Sequence, residues 1–397
     1  MRSTTLSADR AIKRPMMRVI MRGGMYGALV TALAAAAVLA APQVALAQAV
    51  SVDFPLGLGF QVPAYDRVDG LSLPFGPSIT LGEDRLLIEP TLTYRSHLGK
   101  VDPSLALTAH VDADSVYSIR LAGARGTFSN DNWIRSDPIN SLLAFGLGRD
   151  GRNYFRADRA EARFIARLPL PADVAQLFVG ARAENDWSTG WRLNEHRGPF
   201  SIFGRHNQID GIDRLNPEIN RGHINSLIGG GRLGYKSDRN TLRLDALLEA
   251  AANNAVKGRF EQLTLDGHVA VPTFAGHRFE LDGHLVTTGG GQAPAQRYAY
   301  IGGSGTLATL DLLQLGGDHL FFFDTRYIIP IPRVTLPFVG SPFIAPRFAA
   351  GAAAIGGYGQ VTQNVGLRLG AGPIQVDVVV NPRTHQRDQG IGISFSR

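Results

Sequence analysis

Two stretches of the chain match the glycine spacing of a dinucleotide-binding loop. Gly146–Gly151 and Gly229–Gly234 both fit the pattern G-x-G-x-x-G. Such a loop binds a pyrophosphate where it joins a strand to a helix, because the N–H groups at the helix start face the phosphates. Neither match is followed by a helical pattern. We therefore predict no nucleotide site and no cofactor.

Other residue types that do chemistry also lack their usual partners. Gly302–Thr306 misses the serine-hydrolase pattern G-x-S-x-G, since Thr306 stands where the last glycine belongs. His110, His268 and His284 fall on polar faces of predicted strands, where solvation is expected rather than metal binding. The chain has no cysteine, which excludes zinc–thiolate sites, iron–sulfur clusters and disulfides. We predict that the protein is not an enzyme, with an outer-membrane lipase or protease as the open alternative.

The N-terminal residues have the composition of an export signal. Five basic residues between positions 10 and 22 precede the apolar run Gly27–Ala41. Ala45 and Ala47 then give the small-x-small cleavage pattern. The run is short of the roughly 20 apolar residues that a membrane anchor needs. Residues 1–47 are therefore predicted to be a signal peptide, and N-terminal sequencing of the membrane protein is expected to start at Gln48; a sequence starting at Met1 would contradict this.

The charge balance depends on that signal. The whole chain has a formal net charge of +6, but residues 48–397 hold 34 basic and 33 acidic residues. A nearly neutral mature chain gives no electrostatic reason to bind a polyanion. No nucleic-acid partner is predicted.

Hydrophobic residues alternate with polar ones along most of the mature chain. In Thr241–Ala250 one face is Leu and Ala and the other carries Arg, Asp and Glu; Arg159–Leu168 and Arg278–Leu285 show the same period of two. This period indicates strands with two different faces. We predict outward, lipid-facing side chains at Leu244, Leu281 and Val376, and inward-facing ones at Arg243, Asp282 and Asp377.

The length of these strands indicates a membrane barrel. Many run for about ten residues or more, which is enough to cross a bilayer when tilted, and a sheet in lipid must close on itself. The predicted fold class is all-β: a transmembrane antiparallel β-barrel of about 16 strands over residues 65–397, after a short periplasmic segment at 48–64. A soluble periplasmic β-protein is the alternative. One predicted strand is 140–149, and the long connections 187–220 and 290–317 fall on one rim, while 125–139 falls on the other.

Four stretches resemble the BamA/TamA-type bacterial surface antigen family of outer-membrane assembly factors. Ile301–Leu307 is similar to the opening of the family's sixth extracellular loop, and Gly316–His319 and Thr325–Pro332 to the strand that follows it. Tyr65–Leu71 is similar to the first strand. The chain is accordingly identified as resembling a member without POTRA domains, since residues 48–64 are too few for them. The resemblance implies that the loop lies inside the lumen, with these motif residues: Gly302, Gly303, Gly305, Thr306, Leu307 and Asp318.

The sequence departs from the family where that loop is normally locked. The family's loop arginine and its aspartate partner correspond to Ala308 and Ala349 here. We therefore expect backbone hydrogen bonds and packing to hold the loop, with Asp311 or Asp318 meeting an inward arginine, Arg326 or Arg368.

Two further features concern the membrane. Gly392, Ile393 and Phe395 look like the C-terminal signal that the barrel-assembly machinery recognises, although Ser396 and Arg397 follow. Trp133, Trp187 and Trp191 are expected to anchor strand ends at the membrane interface, with ligand stacking as the alternative.

Three functions remain open at this point. The first is a role in outer-membrane assembly, or as the membrane module of a periplasmic partner protein. The second is a solute-conducting pore, and the third is an outer-membrane enzyme. In each case the expected location is the bacterial outer membrane, the expected surroundings are its lipid bilayer, and biogenesis requires the barrel-assembly machinery.

Overall fold

A computed structural model describes residues 50–393 apart from 56–58, 83, 190–207, 210–211, 214–215, 239, 254–257, 335, 338–339 and 373. The signal peptide with Ala45 and Ala47, as well as Trp191 and Phe395, lies outside the described residues. Gly392 and Ile393 are described as strand backbone only. In this part of the chain no helix is long and apolar enough to cross a membrane.

Strands dominate the described chain, as the period of two predicts. In chain order they are β1 Val50–Asp53, β2 Ala64–Asp66, β3 Gly70–Phe75, β4 Ser78–Leu81, β5 Leu86–Arg95, β6 Lys100–His110, β7 Tyr117–Phe128, β8 Phe155–Arg167, β9 Val174–Trp187, β10 Gln208–Ile209, β11 Ile212–Asp213, β12 Gly222–Lys236, β13 Thr241–Asn253, β14 Gly258–Pro272, β15 Arg278–Gly289, β16 Ala299–Ile301, β17 Leu315–Gly317, β18 His319–Pro330, β19 Pro342–Ala354, β20 Thr362–Ala371, β21 Ile374–Val380 and β22 Arg387–Ile393. One helix, α1 Asp137–Leu147, and two 3-10 turns, Phe274–Gly276 and Ala295–Arg297, complete the elements.

Eighteen of these strands form one antiparallel sheet. From β5 to β22 each strand pairs with the next of the sheet along the chain. The first two crossings are each split: β3 and β4 pair with β5, while β2 and β1 pair with β3 and β4. The eighteen strands therefore cross sixteen times, which confirms the predicted number. The pairings among the described residues run from β1 to β22 without one that joins these two ends.

The predicted strand at 140–149 is wrong, because these residues belong to helix α1. Pro138 stands in the first turn, where its missing N–H costs nothing, and Gly148 ends the helix in a left-handed conformation. Leu142 to Phe145 is moreover a continuous apolar run rather than an alternation. Gly146–Gly151 therefore lies at the end of a helix, the reverse of a phosphate-binding loop, and Gly229–Gly234 lies inside β12.

Removing that strand places the three longest connections on one rim. They follow β7, β9 and β15, which all end on the same side; we call this side the loop rim, and the opposite side, which has short turns such as 168–173, the turn rim. The exception noted at 125–139 disappears. The segment 48–64 also needs correction: β1 pairs with β4, so residues 50–53 belong to the sheet rather than to a separate periplasmic segment.

The two faces of the sheet differ as predicted. Leu244 and Val376 are 43% and 36% exposed on the outside. On the inside, Arg243 binds Asp266 at 2.6 Å and Asp377 binds Arg368 at 2.7 Å. Further large apolar side chains are exposed along the outer face: Leu92, Val101, Leu177, Val179, Leu227, Leu248, Leu367 and Val378. A continuous apolar exterior around a charged interior is the pattern of a barrel in lipid.

Candidate functional site in the lumen

The connection between β15 and β18 folds into the interior of the sheet. We call residues 295–317 the plug: β16 and β17 pair with each other as a hairpin base, and residues 302–314 form the tip. Ile301 and Leu307 are completely buried and belong to one cluster with Leu320 and Phe322 on the inner face of β18. The Gly302–Leu307 motif therefore lies against the inner face of the sheet.

Glycine is required at the bend of the tip. Gly302 has φ = 133°, and a Cβ on it would lie 2.2 Å from the carbonyl oxygen of Asp311. Its N–H donates to the Thr306 hydroxyl at 2.8 Å. Gly305 has φ = 111° and lies against Ile134 and Arg135. Only glycine adopts these conformations without strain, so the motif residues shape the tip rather than contribute chemistry.

The tip is held by uncharged groups of its own. The Thr309 N–H donates to Asn364 on β20 at 3.2 Å, and the Asn364 amide donates back to the Thr309 hydroxyl at 2.6 Å. Arg347 on β19 donates to the Thr306 carbonyl oxygen at 3.1 Å. The wall thus supplies the arginine and the loop supplies a carbonyl, the reverse of the family's arrangement.

The predicted meeting of Asp311 or Asp318 with Arg326 or Arg368 is wrong. Arg326 pairs with Asp282, Asp324 and Glu280 on neighbouring strands, and Arg368 pairs with Asp377. Asp318 instead accepts the N–H groups of Ala293 at 3.3 Å and Gly356 at 2.7 Å, which ties the plug base to the next loop-rim connection.

The base of the plug is held by an ion pair on the other side of the lumen. Arg297 donates to Glu249 on β13 through Nε at 2.9 Å and Nη2 at 3.0 Å, and also contacts Glu184 on β9. Burial by itself lowers the pKa of Arg297, but the two carboxylates more than offset it and hold that pKa above its usual range. The same segment therefore touches β9 and β13 at one end and β19 and β20 at the other, so the sheet must curve around it.

A second segment enters the lumen beside the plug. Trp133 stacks on His284 of β15 with ring centroids 4.0 Å apart, and Phe322 lies 5.5 Å away. Arg135 donates to the Ser304 hydroxyl of the plug at 2.7 Å, and burial lowers the pKa of Arg135 to about 10, which leaves it charged at neutral pH. The predicted interfacial role of Trp133 is therefore wrong. No alternation marks this segment in the sequence, so only the fold reveals it.

Beneath the two segments lies a cavity of about 640 Å³. It extends from Trp133 and Gly305 down to Gly372 in the last turn of the turn rim. Its charged side chains are largely paired with one another, for example Arg347 with Asp324 at 2.8 Å. The prediction of solvation is wrong for His268 and His284. They are buried, His268 against Asp282 and His284 against Asp266. The cavity is a vestibule lined by six arginines and four carboxylates, and it reaches the turn rim.

Comparison with known proteins gives neighbours in structure alone. No family model matches the chain, and no curated protein matches it in sequence. Among solved structures, the chain is similar to BamA from Haemophilus ducreyi lacking POTRA domains 1–3, with 13% identity and a TM-score of 0.49 over 87% of this chain and 68% of that one. A BamA barrel thus stands among its neighbours.

Two further neighbours are CdiB proteins. CdiB from Acinetobacter baumannii has 10% identity and a TM-score of 0.45 over 83% of this chain and 57% of that one. CdiB from Escherichia coli has 10% identity and a TM-score of 0.41, with coverages of 82% and 59%. The chain spans between about half and two thirds of these proteins. At such scores the likeness settles neither fold nor function, and the fold described above rests on the strand pairings.

Proposed function

We propose that the protein is an integral outer-membrane β-barrel whose lumen is sealed from the outer side by its own loops. Its work is then done at the barrel wall or at the periplasmic mouth, in membrane assembly or as the membrane module of a periplasmic partner. The observation that carries this proposal is the plug, whose residues touch β9 and β13 on one side and β19 and β20 on the other.

The position of the plug supports the orientation. Long connections of such barrels face outward and short turns face the periplasm. The loop rim therefore faces outward, which leaves the vestibule with its mouth toward the periplasm. A partner in the periplasm reaches that mouth directly, whereas a solute entering from outside meets buried side chains of the plug such as Ile301 and Leu307.

The wall is thin near its C-terminal end. β21 has seven residues, against thirteen to fifteen in β12, β13 and β14. Short strands offer fewer ladder hydrogen bonds, and a sheet edge is a template for pairing with another strand. This thin end supports assembly at the wall in preference to conduction through the lumen.

Planar lipid bilayers test the seal. The purified protein is expected to insert without steady conductance, because the two lumenal segments block the path. A steady ohmic conductance in most insertions would support the solute pore and overturn the sealed barrel.

The assembly role is tested in cells that lack the protein. Their outer membranes are expected to hold less of one or more other barrel proteins, and an unchanged outer-membrane proteome would contradict that role.

A further inference from the structure

One buried charge belongs to the plug, and it sits at the base. The plug contains two charged residues, Arg297 and Asp311. Asp311 is exposed, whereas Arg297 is only 5% exposed and meets Glu184 and Glu249, which are 1% and 3% exposed. Taking the sealed barrel as its basis, we propose that Arg297 is the latch of the plug: its ion pair with Glu184 and Glu249 keeps the plug seated, and loss of that pair releases the tip from the lumen.

The geometry suits a latch because Arg297 bridges distant parts of the wall. The plug leaves the sheet at β15, and β9 lies four strand spacings away, about 19 Å along the wall. The segment from the end of β15 to Arg297 crosses this distance, and the Arg297 side chain joins Glu184 on β9 to Glu249 on β13. Gln262 on β14 donates to the Arg297 carbonyl oxygen at 3.3 Å, which fixes the backbone of the latch as well.

The two carboxylates that bind Arg297 also have cationic neighbours on the wall, so the arginine can leave them. Glu184 contacts Arg159 as well, and Arg182 lies 3.9 Å from Glu249. Both carboxylates therefore keep a cationic neighbour on the wall when Arg297 leaves. A buried carboxylate stranded without a partner would make opening prohibitive, and the two wall arginines remove that obstacle. The tip adds no charged group of its own to the wall, so the ion pair of Arg297 is the charged contact that seats the plug.

A matched pair of variants tests the latch. Arg297→Met and Arg326→Met each remove a largely buried arginine with several carboxylate partners, but Arg326 lies on β18 of the wall and not on the plug; its partners are Asp282, Asp324 and Glu280. The chain has no cysteine, so Ala308→Cys places a single thiol on the tip. Each protein is reconstituted in phosphatidylethanolamine–phosphatidylglycerol vesicles and treated with a membrane-impermeant maleimide.

The labelling rate of the thiol introduced by Ala308→Cys is the readout. Arg297→Met is expected to raise it by about tenfold or more, which corresponds to about 1.4 kcal/mol of lost seating, and Arg326→Met is expected to leave it within about twofold. Equal rates in the two variants would overturn the latch. Heat-modifiable migration on gels selects folded barrels before labelling, so that misfolded protein does not contribute.

A charge exchange keeps the test decisive where Arg297→Met folds poorly. Arg297→Glu combined with Glu249→Arg restores the pairing with reversed polarity and is expected to label more slowly than Arg297→Glu alone; no difference would count against the latch.

Failure of the sealed barrel and failure of the latch give different labelling results. Rapid labelling of the otherwise unchanged protein would overturn the sealed barrel, whereas protection in both that protein and Arg297→Met would overturn the latch alone.

Discussion

Excising the plug tip is expected to turn a closed barrel into a conducting one. Replacing residues 302–314 by Asn-Gly joins Ile301 to Leu315, which already face each other in the β16–β17 hairpin, through a two-residue turn. The wall should survive, because β16 and β17 pair with each other and not with the large sheet. Removal of Leu307 and its neighbours opens a path from the loop rim to the vestibule, and planar bilayers should show steady channels.

The second lumenal segment, residues 129–136, limits the conductance that this excision produces. With the tip gone, Trp133 still stacks on His284 and narrows the path. A variant that also replaces residues 129–136 by a glycine–serine linker is therefore expected to conduct more than the first. Phe274→Ser, at an exposed turn-rim position, serves as the control and should stay closed. Absence of conductance in both excision variants would mean that the lumen is blocked elsewhere or that the tip lies outside it.

A charge placed on the outer face is expected to be costly, while one on the inner face is not. Leu244 is 43% exposed on the outside of β13, and Arg243 next to it points inward to Asp266. Leu244→Arg puts a guanidinium into lipid and should cost about 2–4 kcal/mol of folding free energy near mid-bilayer. Leu281→Arg on β15 should behave in the same way.

The control for this prediction uses the neighbouring inward position. Arg243→Leu removes one partner from an exposed lumenal pair, since Arg243 is 41% exposed at its side chain, and should cost much less. Folding into lipid vesicles, followed by urea titration, measures both. Equal losses at positions 243 and 244 would contradict the assignment of the two faces.

Alternation made the wall predictable from the sequence. Its inward and outward residues follow a period of two, and strand pairing keeps that period, so Leu244, Val376, Arg243 and Asp377 lie where the pattern put them. The number of crossings agrees because the strand wrongly predicted at 140–149 is offset by the first crossing, β1 with β2, which was not predicted. Helix α1 was missed because the Leu142–Phe145 run carries neither alternation nor a long helical repeat.

The site was only partly predictable. The glycines at 302, 303 and 305 indicated a tight inward loop through the family resemblance, and positive φ angles at all three explain their presence. The contacts that hold the loop could not be foreseen. Arg297 lies 113 residues from Glu184 and 48 from Glu249, and no local pattern connects them. Trp133 and His284 are also far apart in the sequence, and the tertiary fold brings them together.

Crosslinking of the plug tip to the wall tests the sealed lumen most directly. The chain has no cysteine, and Thr309 and Asn364 share two hydrogen bonds between the tip and the inner face of β20. Thr309→Cys with Asn364→Cys is expected to crosslink efficiently through a short thiol reagent in native outer membranes. Thr309→Cys with Leu367→Cys, whose second position is 46% exposed on the outer face, should not. Free, rapidly labelled thiols in the first pair would contradict a tip that resides in the lumen.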